Sequence, residues 1–181
     1  MRPPRRFDDT LMLPPGVPNA AGASDASDKP VAVDAALLAV LRAWCEDGAF
    51  PRMTEPLRVA STAPHAGLNG VACELDGSHE LARLGRWRGL GWRLQLLWRE
   101  SLAARDARAH DPWDCGWWRE GPLGPAEAFR PRRATLLMLR EAAPAAAAAL
   151  LSTLRANSPS YARPVRVLVV SAKVIADIER L

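Results

Sequence analysis

The chain has 181 residues, 49% of them apolar and 24% charged, with 24 Lys+Arg against 20 Asp+Glu. Length and composition of this order point to one folded domain and exclude a wholly disordered polymer. The apolar run Ala142 to Leu151 falls short of the roughly 18–20 residues of a membrane helix, and three cysteines cannot supply a disulfide framework for a chain of this size.

Residues 1–33 read as a disordered or weakly ordered leader. Pro3, Pro4, Pro14, Pro15, Pro18 and Pro30, with the small-residue run Asn19 to Ser27, oppose any packed element. Arg2, Arg5 and Arg6 open the chain without a following apolar core, so a secretory signal is not expected and the cytoplasm is. Phe7 to Leu13 carries enough apolar side chains to dock on the domain or on a partner, although a disordered leader is the simpler expectation. From residue 34 onward a single α+β domain is expected, with a small mixed sheet covered by helices.

The spacing predicts a helix over Asp34 to Asp47. Asp34 suits the N-cap, Leu37, Leu38, Leu41, Trp44 and Cys45 form one apolar stripe, and Gly48 ends it. Leu57 to Ala60 and Val71 to Leu75 read as short strands, and Glu80 to Leu84 as a short helix capped by Ser78. In 91–99, Trp92, Leu94, Leu96 and Trp98 alternate with Arg93, Gln95, Leu97 and Arg99, which favours a strand. The row Leu90, Leu94, Leu97, Ser101 is the helical alternative, and a helix is expected over 100–109. Dense Pro and Gly make His110 to Gly124 a loop or hairpin. Ala134 to Arg140 reads as a buried strand, Pro144 to Ala156 as a helix, Val165 to Ser171 as a second buried strand, and Ala172 to Leu181 as a closing helix. Strand, helix and strand in that order fit a right-handed parallel βαβ unit, and equally an α+β sheet with one covering helix.

Thirty-three residues are alanine, and 22 of the 24 basic residues are arginine. GC-rich codons specify both, so a bacterial genome of that base composition accounts for the bias without a selected function. The distribution of charge is more informative than its total of +4. Residues 34–82 hold three basic against seven acidic side chains, whereas residues 83–133 hold eleven against six. An acidic first part and a basic remainder attract one another across a fold, or the basic part faces an anionic partner.

Motifs for phosphate-loop, dinucleotide, nucleophile-elbow and zinc chemistry are missing from the sequence, and no cofactor or metal is expected. The richest chemical run is His110-Asp111-Pro112-Trp113-Asp114-Cys115. A thiol, an imidazole and a carboxylate in one loop make His110, Asp114 and Cys115 candidates for a small enzyme or metal site. The Trp/Arg block is the other candidate. Trp87, Trp92, Trp98, Trp113, Trp117 and Trp118 are interleaved with Arg86, Arg88, Arg93, Arg99 and Arg119. Tryptophan is usually buried, so core tryptophans covered by arginines are one reading. A protein-partner surface is the other, because Trp and Arg dominate interface hot spots. Such a surface would comprise Trp113, Trp117, Trp118 and Arg119, together with the basic spot Arg130, Arg132 and Arg133. The functional expectation is a non-enzymatic bacterial accessory or adaptor protein, with nucleic-acid binding through the same residues as the alternative.

Overall fold

The computed structural model describes residues 11–15, 33–50, 52–84, 88–92, 94, 109–140, 144–172 and 178–181. In chain order these form β1 (Met12–Leu13), α1 (Ala35–Glu46), β2 (Leu57–Thr62), α2 (Leu68–Leu75), α3 (Ser78–Arg83), β3 (Asp114–Trp118), α4 (Gly124–Ala128), β4 (Thr135–Leu139), α5 (Pro144–Asn157), β5 (Val165–Val170) and β6 (Glu179–Arg180). The strands make one mixed sheet in the order β1-β3-β4-β5-β2-β6. The pairs β3–β4, β4–β5, β5–β2 and β2–β6 are parallel, and β1 pairs antiparallel with β3. Helices cover both faces of this mixed sheet, and the domain is α+β with a mixed sheet, as expected.

Two-sided cover explains the strand sequences. A parallel strand buried on both faces reads as a continuous apolar run, and β4 (TLLML) and most of β5 (VRVLVV) do so. Alternate side chains then serve different cores. Leu136, Met138 and Leu168 pack with α1 and α2, while Leu137, Leu139, Val165 and Val167 pack with α4 and α5.

Helix α1 starts where its cap predicts. The Asp34 carboxylate accepts the backbone N–H groups of Ala36 and Leu37 at 3.0 and 3.1 Å. Its far end is closed from the sheet. Arg166, fully buried on β5, donates to the carbonyls of Cys45 at 3.1 Å, Asp47 at 2.6 Å and Glu55 at 2.9 Å. Cationic donors suit helix C-terminal carbonyls, both by hydrogen bonding and by complementing the dipole. Burial lowers the Arg166 pKa, the cost of desolvating this guanidinium. On the neighbouring strand Arg58, in register with Arg166, reaches the carboxylates of Asp47 and Glu179.

Several local expectations give way to tertiary context. Val71 to Leu75 is helical: Leu68, Val71, Ala72 and Leu75 fall at i, i+3, i+4 and i+7 and are buried as one face of α2. The loop or hairpin expected over 110–124 contains β3, a strand inside the sheet whose five residues are all buried between neighbouring strands and both helical layers. Residues 88–92 and 94 are helical, which overturns the strand expected over 91–99 at Gly91, Trp92 and Leu94. The Trp92 ring there stands close over Gly77, whose φ of +76° and lack of a Cβ allow the contact. Residue 93, residues 95–99 and positions 100–108 of the helix expected over 100–109 lie outside the described residues, and Ala109 is a turn. At the C-terminus Glu179–Arg180 is a strand along β2, not the end of a helix, and residues 173–177 lie outside the description. Ser78 is helical, and Gly77 occupies the cap of α3.

Of the segment Phe7 to Leu13, residues 11–13 belong to the sheet edge. Leu11 and Met12 are buried, and the Leu11 carbonyl accepts the Arg119 N–H at 2.9 Å. Gly116 permits this approach, since a Cβ there would stand 2.8 Å from the Leu13 oxygen and 3.0 Å from the Met12 Cβ. Gly116→Ala is therefore expected to displace β1 at a cost of roughly 1–3 kcal/mol, the usual range for overpacking. Limited proteolysis should then cut near Leu11 to Leu13 in the variant before the wild type, and equal resistance would contradict the close approach.

Candidate ligand cleft at the carboxyl edge of the sheet

The sequence-derived candidates are distributed over separate parts of the fold. Trp113, Trp117 and Trp118 are 1%, 6% and 7% exposed, so the core reading describes them and an open aromatic surface does not. The reason is the position of β3 between two helical layers. Trp117 joins the core beneath α1 and α2, and Trp118 joins the core beneath α4 and α5. Trp113 meets Phe50 edge to face at 6.3 Å between ring centroids.

The arginines separate as well. Arg119 follows β3 at its carboxyl end, whereas Arg130, Arg132 and Arg133 precede β4 at the amino end of the same parallel sheet. Arg133 is buried, with an ion pair of 3.1 Å to Asp114. Arg130 donates to the carbonyls of Glu127 and Phe129 at the end of α4. Arg119 and Arg132 are exposed. Topology thus divides the expected interface between opposite ends of the sheet.

His110, Asp114 and Cys115 have different surroundings too. His110, in a left-handed turn with φ +66°, is exposed and meets Arg42 and Glu46 of α1. Asp114 is held by Arg133. Cys115 is sealed in the core, and burial pushes its thiol well above the ordinary range. Among the described residues no group of three or more His, Cys, Asp or Glu could hold a metal ion.

Burial likewise pushes the Cys45 thiol from 9.0 up to about 12. Cys45 and Cys115 should therefore resist a thiol reagent in the native state, while half-buried Cys73 reacts first; equal labelling of all three would contradict this burial. A folded-state pKa raised above the unfolded value means that the unfolded chain loses its proton first. The contribution of Cys45 to stability is thus intact below about pH 9 and lost as the pH rises toward about 12.

A cleft of about 470 Å³ opens where β2, β4 and β5 end. The loop after β2 leads to α2 on one face of the sheet, whereas β4 leads to α5 on the other. Divergence of these connections leaves a crevice at the carboxyl edge, the usual position of ligand sites in parallel sheets. The Arg140 guanidinium lies 4.5 Å from the centroid of the Trp117 ring, a cation–π contact. Trp117 Nε1 donates to Asn69 Oδ1 at 2.8 Å. His65 Nδ1 accepts the Gly67 N–H at 3.0 Å, leaving Nε2 to carry the ring proton, 3.6 Å from Asp34 Oδ2. Pro64, Ala66, Leu68 and Val170 supply the apolar walls.

Trp117 is the sequence candidate that reaches this cleft, by the edge of a buried ring. His65, Asn69 and Arg140 went unrecognised. Their signal was positional, since polar residues directly after a buried strand stand at the carboxyl edge if the sheet is parallel. The chain matches no family model, no curated protein and no solved structure.

Proposed function

We propose that the protein is a non-enzymatic bacterial accessory domain that binds an anionic group of a protein partner at the carboxyl edge of its sheet. The observation that carries this reading is Arg140, preset over Trp117 at the mouth of the cleft and without a carboxylate partner among the described residues. Exposed Arg119, first after β3 as Arg140 is first after β4, extends the positive edge. A cytoplasmic setting accords with the free thiols Cys45, Cys73 and Cys115, and no helix among the described residues is long and apolar enough to cross a membrane. The nucleic-acid alternative has less support, because base stacking needs open indole faces and Trp113, Trp117 and Trp118 are buried.

The test compares the full chain with Arg119→Glu/Arg140→Glu in the source cells. Both side chains are exposed, so the double variant should retain the wild-type melting temperature. One specific protein should be recovered with the wild type and lost with the variant. Once that protein is purified, its Kd for the variant should rise by about tenfold or more. An unchanged recovered set would overturn the reading.

A further inference from the structure

We infer that the cleft recognises a single carboxylate borne on an apolar group. This deepens the accessory-domain reading and rests on it for the location of the site. The cleft volume of about 470 Å³ lies in the range of small-ligand pockets, roughly 300–1,000 Å³. Its walls are mainly apolar, and Arg140 is the cation among its lining residues. The guanidinium held over the Trp117 ring has no carboxylate partner among the described residues, and its N–H fork matches the two oxygens of a planar carboxylate. Asn69 supplies a second donor, since its Oδ1 is engaged by Trp117 and its amide NH2 has no hydrogen-bond partner among the described residues. The first turn of α2 opens on the same space and favours negative charge there.

The surrounding charges set the limit of one anion. His65 Nδ1 accepts the Gly67 N–H, and its other nitrogen faces the Asp34 carboxylate. The Asp34 carboxylate, shared with the start of α1, disfavours a dianion nearby. One guanidinium, one amide and apolar walls therefore select a monoanionic carboxylate over phosphate. Two sources carry that chemistry: a free aryl or alkyl carboxylic acid, and the C-terminal carboxylate of a polypeptide ending in an apolar residue.

The full chain, labelled with nitrogen-15, is titrated with phenylacetate, a capped tripeptide with a free C-terminal leucine carboxylate, the same tripeptide as its amide, and inorganic phosphate. At least one of the two carboxylates should shift the Trp117 indole N–H resonance saturably below ~10 mM, a millimolar affinity or better. The amide and phosphate should not. Tighter binding of the tripeptide would make the ligand a polypeptide terminus, and tighter binding of phenylacetate a free acid; both uphold carboxylate recognition. Arg140→Gln should weaken binding by about tenfold or more, the equivalent of losing one charge-assisted contact. Saturation by the amide or by phosphate as strong as by the acid, no saturation by either carboxylate, or unchanged binding by Arg140→Gln would each overturn the inference. Arg140-dependent partner capture without probe binding would overturn this inference alone. Saturable carboxylate binding with unchanged partner capture by the double variant would overturn the accessory-domain reading alone.

Discussion

Replacing Trp117 and Trp118 together by alanine is expected to unfold the domain. The two residues are consecutive on β3, so their side chains leave opposite faces of the sheet. Trp117 packs beneath α1 and α2 and donates to Asn69, while Trp118 packs with Leu11, Phe129 and Leu137. Truncating a buried tryptophan costs roughly 3–5 kcal/mol. The two sites share no hydrophobic cluster, so their costs should be nearly additive. Their combined loss, about 6–10 kcal/mol, is comparable with the whole stability of a domain, roughly 5–15 kcal/mol. Circular dichroism in urea should show each single variant folded with a lowered midpoint and the double variant unfolded without denaturant. A folded double variant would mean that these rings are not core.

Arg166→Met is expected to be strongly destabilising. Methionine replaces much of the volume but none of the donors that reach the carbonyls of Cys45, Asp47 and Glu55. A buried acceptor left without its donor costs roughly 1–3 kcal/mol, whereas removing a desolvated charge returns part of that. A net loss of roughly 3–5 kcal/mol follows, lowering Tm by about 10 °C or more for a chain of this length. Arg58→Met is the control. Arg58 is in register with Arg166, yet its ion pairs with Asp47 and Glu179 are partly solvated and should contribute no more than about 1 kcal/mol. Equal melting temperatures for the two variants would show that Arg166 does not hold α1 to the sheet.

The arginine prediction depends on contacts that no local pattern displays. Arg166 interrupts an otherwise apolar strand, and its alternation places it on the side of α1. What it bonds is fixed by residues more than 100 positions away. Arg133 likewise lay in an apparent exposed basic spot, but Asp114 is buried with it. Arg140 closed an apolar run and appeared only to mark its end. It is a site residue because parallel pairing of β4 with β5 and of β5 with β2 brings the end of β4 and the loop after β2 to one edge of the sheet.

Helices and strands were legible where local chemistry was self-sufficient. The Asp34 cap and the apolar stripe of α1 specify that helix with little outside help. The buried runs of β4 and β5 and the alanine-rich α5 between them specify two strands and a helix by composition and length, and the observed pairing makes them a parallel unit. β3 was obscured because its five residues lie among prolines and glycines and become a strand only when neighbours supply both rows of hydrogen bonds. Val71 to Leu75 was obscured for a related reason: five residues are too few to distinguish a strand from the buried face of a short helix.

The sequence by itself determined the strong local elements, the α+β class and the acidic-to-basic polarity of the chain, because these depend on spacing and composition. The tertiary structure decided which tryptophans are covered, which arginines are already engaged and where a largely apolar cleft with one guanidinium opens. Those properties depend on surfaces brought together from distant positions. Six tryptophans in a basic segment fitted a core or a partner surface, until the two helical layers placed Trp113, Trp117 and Trp118 inside and left Arg140 at the edge.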